Sequence, residues 1–175
     1  MKHKFKIFII LIVFFFPLEN RLLANDIYFV DYSKVMNEST AGKKAQDYLR
    51  KILKDSNKKF NETAKKLREE ENKIISQKNA LSKEEYKKKA DALRKKVFDL
   101  NKQRDKSIKN VAMKRKKAGD EMLKNLNPIL GKYMQENNIS VVIDKKNVLM
   151  GDKKFEITSQ IIEILNKEFK SINLN

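Results

Sequence analysis

The stretch covering residues 43–118 contains neither glycine nor proline, and its apolar residues are arranged symmetrically about residue 80. Leu67 mirrors Leu93 about that point, and Phe60 mirrors Leu100. Two helices that fold back on each other at residue 80 would bring these partners side by side. Because such a hairpin encloses no pocket, the pattern favours a protein that grips or spans over one that catalyses.

The period of the apolar residues predicts that both halves of this stretch are helical. The outgoing half places one strong apolar residue in each heptad, at Leu53, Phe60, Leu67, Ile74 and Leu81. A spacing near 3.5 residues is the coiled-coil signal, and the intervening residues are good helix formers. Ser82 and Glu85 have the spacing of a capping box, which marks the start of a second helix. We therefore predict helical arms over residues 41–80 and 83–137.

Short apolar runs rich in β-forming residues flank the predicted hairpin. Residues 27–31 form one run, and residues 139–150 form a second that is broken at Lys145. Val148–Met150 suggests a third strand. Such short strands bury too little apolar surface for a stable monomer, so we expect them to form the base of an oligomer. The candidate residues of this oligomer base are Ile27, Phe29, Val30, Val141, Val142 and Ile143.

The end of the chain predicts a closing helix over residues 158–170. Apolar residues recur there at helical spacing, and Thr158 is placed to be the N-cap. Earlier, Pro128 predicts a kink in the return arm or a fresh start of its helix, because proline suits a first turn.

The first 24 residues have the pattern of a secretory signal peptide. A basic start precedes the apolar run of residues 7–16, which Pro17 ends. This run is too short to anchor the chain across a bilayer. Cleavage between Ala24 and Asn25 would leave residues 25–175 as a single domain, and we expect that domain in the periplasm.

The residue types available to the mature chain favour no enzyme class. Cysteine is absent from the sequence, and the only histidine is His3 in the leader. The mature chain therefore lacks the usual pairs of nucleophile and base and the usual transition-metal ligands. Its four glycines are isolated, so they form no phosphate-binding loop. We predict no enzymatic activity, no catalytic or metal-binding residues and no cofactor.

A strong positive charge is the second large signal. The formal charge is +17, and loss of four basic and one acidic residue with the leader leaves about +14. Such a charge attracts anionic partners. Export removes the chain from nucleic acid, which leaves acidic unfolded polypeptides, anionic lipid and lipopolysaccharide as partners. The joint richness in lysine, asparagine and isoleucine also fits AT-rich coding sequence, which would leave part of the excess without a function.

The order of these features resembles the Skp (OmpH-like) family of periplasmic chaperones. The resemblance is carried by Ile27-Tyr28-Phe29-Val30-Asp31, by Ala41-Gly42-Lys43-Lys44-Ala45 and by Val141-Val142-Ile143-Asp144. It implies a mainly α fold with a small β base. The long antiparallel coiled-coil hairpin would be mounted on a short-stranded β body that is shared between the subunits of a homotrimer. The implied activity is the ATP-independent holding of unfolded outer membrane proteins.

We hypothesise that basic residues of the return arm attract such clients and that apolar residues near the tip retain them. The candidate client-binding residues are Ile74, Ile75, Leu81, Tyr86, Lys87, Lys88, Lys89, Arg94, Lys95 and Lys96. Two other function classes stay open. One is an envelope coiled-coil spacer or scaffold, and the other is a secreted polyanion-binding protein, whose binding would fall steeply with salt.

Overall fold

The computed structural model describes residues 26–174, which form a long two-helix arm and a small base. The predicted signal peptide and its cleavage site at Ala24 and Asn25 lie outside the described residues. The elements in chain order are β1 (Ile27–Val30), α1 (Tyr32–Glu38), α2 (Thr40–Ser76), α3 (Lys83–Glu136), β2 (Val141–Asp144) and α4 (Thr158–Glu168). Two 3-10 turns, Lys145–Asn147 and Lys153–Phe155, separate β2 from α4. The predicted class, mainly helical with a small sheet, is confirmed.

Helices α2 and α3 form the arm, and residues 77–82 connect them at its tip. The predicted capping box is present at the start of α3. The Ser82 hydroxyl accepts a hydrogen bond from the Glu85 amide at 3.2 Å, and the Ser82 amide donates to the Glu85 carboxylate at 3.1 Å. These bonds satisfy amides that have no partner within the helix. The capping box therefore marks the start of a second helix, as the sequence predicted.

The two arm helices meet along a thin apolar seam. Five of its large apolar side chains are 6–8% exposed, and they are Leu49, Ile74, Leu93, Leu100 and Val111. Polar and cation–π contacts cross between the helices, and they join Tyr48 to Lys114, Phe60 to Arg104, Glu70 to Lys96 and Gln77 to Lys89. The midpoints of these pairs fall at residues 81–83, so the arm folds back close to the predicted residue 80.

Strands β1 and β2 form a two-stranded parallel sheet at the base. Its register pairs Ile27 with Val141 and Val30 with Asp144. Parallel strands need a long crossover connection. Here the whole arm is that crossover, because its antiparallel helices return the chain to the place where the arm began.

The predicted third strand at Val148–Met150 is wrong. These residues form a bend between the two 3-10 turns, and the further contact to β1 is a bridge between Phe29 and Glu156. Gly151 lies against the Phe29 ring, so that a Cβ at Gly151 would be only 2.9 Å from the ring atom Cε1. The loop therefore packs on the face of β1 instead of pairing with its edge.

The main hydrophobic core lies where the end of α3 meets α1, α4 and β1. Its buried members are Val30, Val35, Ala41, Met122, Leu126, Ile129, Ile157, Ile161 and Leu165. A long-range hydrogen bond ties the end of β1 to the start of α4, because the Asp31 amide donates to the Thr158 hydroxyl at 2.9 Å. Thr158 is the first residue of α4 and does not act as the predicted N-cap, since its hydroxyl accepts from the Asp31 amide and donates to the Glu156 carboxylate.

Pro128 lies inside α3, so of the two predicted outcomes, a kink or a fresh start of the helix, the fresh start is wrong. The helix runs unbroken past it, with Leu126 and Ile129 buried in the main core beside it. Packing of these neighbours outweighs the hydrogen bond that proline removes. Helix α3 ends at Glu136, and Asn138 then adopts a left-handed φ of 53°, which asparagine tolerates.

Residues 169–174, which follow α4, have no regular secondary structure and turn back to the arm. We call residues 169–174 the strap. Its residues Ile172 and Leu174 join a second, smaller apolar cluster, whose other members are Ala45, Leu49, Ile52, Val111 and Ala118. The strap thus connects the base to the root of the arm.

Candidate functional site

The arm exposes several large apolar side chains to solvent. Phe98 is 66% exposed, Met113 is 65% exposed and Ile108 is 62% exposed. Leu53, Ile75 and Val97 are also exposed. Apolar surface that is contiguous and exposed commonly marks an interaction site. The exposed apolar side chains of the arm are therefore candidates for binding contacts.

One part of this surface is a groove half-way along the arm, which we call the mid-arm groove. It has a volume of about 510 Å³, and its apolar lining includes Leu67, Val97 and Phe98. Arg68, Arg94 and Arg104 also line it. Arg104 lies over the Phe60 ring at 5.9 Å, which holds this cation across the two helices. Glu71 lines the groove as well, so its apolar floor is bordered by three arginines and one glutamate.

The apolar candidates near the tip are less exposed to solvent than the sequence suggested. Ile74 is buried in the seam, while Leu81 and Tyr86 are half-buried. Ile75 alone of these four is largely exposed, at 56%. Contacts at the tip would therefore depend on Ile75, unless the seam opens.

The two predicted basic runs, residues 87–89 and 94–96, are exposed along α3. Three of their side chains have partners, which join Lys89 to Gln77, Arg94 to Asp91 and Lys96 to Glu70. Lys87, Lys88 and Lys95 make no ion pair or hydrogen bond with any residue between 26 and 174. Half of this charge is thus free to meet a partner.

The candidate residues of the oligomer base divide between the core and the surface. Phe29 and Val30 are buried within the chain, while Val142 and Ile143 are half-buried. Ile27 and Val141, which pair in the sheet, remain 55% and 43% exposed. One chain therefore covers only part of the apolar surface of its sheet.

The loop beside the sheet adds to this uncovered area. Leu149 is 103% exposed and Met150 is 92% exposed, so neither side chain is covered by the rest of the chain. Together with Ile27 and Val141 they form what we call the base surface. Nearby, a hydrogen bond from Lys145 holds the pKa of Glu156 below its usual value, which keeps this carboxylate charged beside the sheet.

The described part of the chain offers no constellation for metal chemistry. No group of three or more histidine, cysteine, aspartate or glutamate side chains is positioned to hold a metal ion within residues 26–174. Over the same residues, none of the helices has the length and hydropathy to cross a membrane.

Sequence reasoning missed Phe98, Met113, Leu149 and Met150. Phe98 directly follows Val97, a position of the heptad pattern, so Phe98 itself falls outside that pattern, and this was the available signal. Leu149 and Met150 were assigned to a strand because their residue types favour one. Their exposure depends on how the loop packs on Phe29, which no local pattern reveals.

Two comparisons with known proteins agree with this architecture. The family model for Outer membrane protein (OmpH-like) matches residues 26–165. The crystal structure of a proposed outer membrane chaperone (OmpH-like) from Caulobacter crescentus CB15 is similar, with a TM-score of 0.77 at 18% sequence identity. The similarity covers 84% of this chain and 87% of that one. No curated protein matches the sequence.

Proposed function

Because this chain belongs to the OmpH-like outer membrane protein family, we propose that it is an ATP-independent holdase chaperone of the periplasm. Its clients would be unfolded outer membrane proteins, which it keeps from aggregating in transit. The observation that carries the proposal is that one arm exposes large apolar side chains beside unpaired lysines. An unfolded chain presents both apolar and charged groups, so this mixed surface suits it.

The two kinds of side chain would act at different stages of binding. Exposed charges mainly raise the rate of encounter, and salt screens them over about 8–10 Å. Apolar contacts persist after encounter and mainly slow dissociation. The basic runs would therefore capture acidic segments, and the mid-arm groove and Ile75 would retain apolar ones.

A homotrimer built on the base is part of the proposal. The base surface is apolar and uncovered in the single chain, and β2 has no second strand neighbour within the described residues. If the same element of another copy packs against the base, it covers the exposed apolar surface and gives β2 a second neighbouring strand. The arms would then project from a shared β body and surround a space for the client.

The leader pattern supports export. The unpaired lysines would also suit one other class of partner, an anionic lipid or lipopolysaccharide. Anionic lipid or lipopolysaccharide would bind the basic runs through charge alone. An envelope spacer would need neither the lysines nor Phe98. These alternatives give different outcomes in the following experiment.

The experiment measures stopped-flow association and dissociation of a fluorescent, urea-denatured outer membrane protein at two salt concentrations. Replacement of both basic runs (87–89 and 94–96) by glutamine should slow association and reduce its salt dependence, with less change in dissociation. Phe98→Ser with Ile75→Ser should speed dissociation and leave the association rate nearly unchanged. A matched control removes the same charge elsewhere, by glutamine at Lys124, Lys132, Lys153, Lys154, Lys167 and Lys170.

Each alternative has a distinct signature in these data. A polyanion binder would lose its ligand with the basic runs and ignore Phe98→Ser. A spacer would neither capture the denatured protein nor suppress its aggregation in any variant. Equal rates for the glutamine variant and the wild type at low salt would show that the lysines are compositional background.

A further inference from the structure

The mid-arm groove combines a covered apolar floor with an uncovered aromatic ring. Leu93 and Leu100 of its lining are buried in the seam, and Leu67 is half-buried. Phe98 also lines the groove, although most of its surface is exposed. A volume of about 510 Å³ is in the range of pockets that hold a small ligand. The groove can therefore take up one large side chain, which would bury the ring of Phe98 as it enters.

The three arginines of the groove differ in how they are held. The Arg94 guanidinium pairs with the Asp91 carboxylate at 2.7 Å. The Arg104 guanidinium lies over the Phe60 ring and donates a hydrogen bond to the Phe60 carbonyl oxygen at 3.5 Å. Arg68 makes no hydrogen bond, ion pair or ring contact with any residue between 26 and 174. Its guanidinium is thus available to a ligand.

The charge of the lining favours an anionic ligand. Three arginines are opposed by a single glutamate, Glu71, so the lining has a formal charge of +2. Glu71 follows Arg68 by three residues on α2, yet the two side chains form no ion pair. A guanidinium can bind a carboxylate through two parallel charge-assisted hydrogen bonds, which a neutral amide cannot match. A carboxylate is therefore the group that Arg68 suits best.

We propose that the mid-arm groove selects polypeptide segments in which an aromatic residue has an aspartate or glutamate two positions away. In an extended segment, side chains two positions apart lie on the same face, so both can enter one groove. The aromatic side chain packs against Phe98 and the leucine floor, and the carboxylate binds Arg68. A basic residue at the same position is repelled by the arginines. The selection rests on the proposed function, since an unfolded client supplies such segments.

Unlabelled peptides can test this selection with the mature full chain. The sequence contains no tryptophan, so the emission of a tryptophan in the peptide reports binding without an attached dye. One peptide of glycine and serine carries a single tryptophan with an aspartate two positions away on each side. A matched peptide has asparagine in place of both aspartates. We expect the wild type to bind the aspartate peptide about threefold more tightly, as for an exposed ion pair.

Arg68→Gln should abolish this preference, so that both peptides bind with equal affinity. The matched control is Arg50→Gln, which removes an exposed arginine of α2 that is also unpaired within residues 26–174. The two positions lie about 27 Å apart at 1.5 Å per residue, whereas physiological salt screens charges over about 8 Å. Arg50→Gln should therefore keep the threefold preference. A preference that survives Arg68→Gln, or that Arg50→Gln also abolishes, would overturn the proposal.

The aromatic part of the selection has its own variant. Phe98→Leu keeps an apolar side chain but removes the ring, so both peptides should bind about threefold more weakly. The control is Met113→Leu, because Met113 is nearly as exposed on α3 but does not line the groove. It should bind both peptides like the wild type. Circular dichroism checks that each variant keeps its helix content, and an unchanged affinity in a folded Phe98→Leu protein would overturn the proposal.

Two other occupants of the groove would give different results. Vesicles of phosphatidylglycerol and phosphatidylcholine in equal parts that bind the wild type but not Arg68→Gln would assign the groove to anionic lipid. A sedimentation coefficient that falls in Phe98→Leu would assign it to a second copy of the chain. Either result would overturn the proposal.

Denatured outer membrane protein separates this proposal from the proposed function. If the wild type captures the denatured protein but binds both peptides equally, the selection fails while the holdase function stands. If the wild type prefers the aspartate peptide but does not capture the denatured protein, the holdase function fails and the selection by the groove stands.

Discussion

The base and the arm of this molecule are stabilised in different ways. In the base, Met122, Ile161 and Leu165 are completely buried and belong to one continuous core. In the arm, seam residues such as Leu93 keep 8% of their surface exposed. The base therefore depends on packing, while the arm depends on helix propensity, a cap and a thin line of contacts.

This difference divides the work between the two regions. A packed core has one arrangement and loses stability steeply when a side chain is changed. A thin seam tolerates change and can separate locally, which exposes further apolar residues such as Ile74. The arm can thus change its shape locally to fit irregular ligands, while the base keeps a single arrangement.

The largest effect should come from a charge placed in the base. Phe29→Asp would bury an unpaired carboxylate, so we expect a loss of more than about 4 kcal/mol in unfolding free energy. Val142→Asp should act in the same direction. Urea denaturation followed by circular dichroism measures the loss, and sedimentation velocity measures assembly.

The matched control for this prediction is Leu149→Asp. That side chain is fully exposed in the single chain, so the variant should fold normally and yet sediment as a monomer. A Phe29→Asp protein that remains a stable oligomer would break the contrast, because the base would then not depend on its core.

A matched pair of leucine truncations sharpens the contrast between the regions. Leu126 in the base is 1% exposed and Leu93 in the arm is 8% exposed. We expect Leu126→Ala to cost about 4 kcal/mol and Leu93→Ala about 2 kcal/mol, since the arm can collapse onto the smaller side chain. Hydrogen exchange should rise throughout the molecule for Leu126→Ala but only along the arm for Leu93→Ala. Identical exchange profiles would show that the two regions unfold as one unit.

The smallest effect should be at the tip of the arm. Ser82→Ala removes the cap of α3, with an expected loss of about 1 kcal/mol of local helix stability. The hydrogen bond from the Ser82 side chain holds the pKa of Glu85 below its usual value. The carboxylate therefore stabilises the cap above the ordinary glutamate pKa, and this contribution is lost as the pH falls through the lowered value.

Nuclear magnetic resonance titration of the Glu85 carboxyl group measures this last effect. In Ser82→Ala the pKa should return towards its usual value, while the amides of the base should not respond. A lowered pKa that survives the substitution would mean that the backbone amide of residue 82 and Lys89, and not the Ser82 hydroxyl, control this carboxylate.

The features that local sequence could predict are those with local causes. The capping box at Ser82 needs only neighbours within a few residues, so its signal was correct. The heptad pattern correctly predicted helices and a buried Ile74, but Leu53 of the same series is 40% exposed.

The predicted restart at Pro128 and the predicted N-cap at Thr158 were wrong because distant residues decide the roles of these two positions. Ile129 and the main core hold the helix through Pro128, and Asp31 engages the Thr158 hydroxyl from another element.

The candidate site was predictable only in outline. The sequence shows the basic runs directly. Which of their side chains are unpaired depends on partners in the other helix, such as Glu70 for Lys96. The strap has neither period nor cap, since it is placed by a groove that two helices create together. Exposure of Leu149 likewise follows from the packing of its loop on Phe29.

The parallel pairing of β1 and β2 has a consequence for the order of folding. A flexible connection of this length would make the pairing of Ile27 with Val141 costly, because the entropic cost of closing a loop grows with its length. Helical contacts within a hairpin are local and form on a microsecond scale. If the helical hairpin forms from its tip towards the base, it therefore brings the second strand next to the first. We expect weakened caps and seams to slow the refolding of a sheet that they never touch.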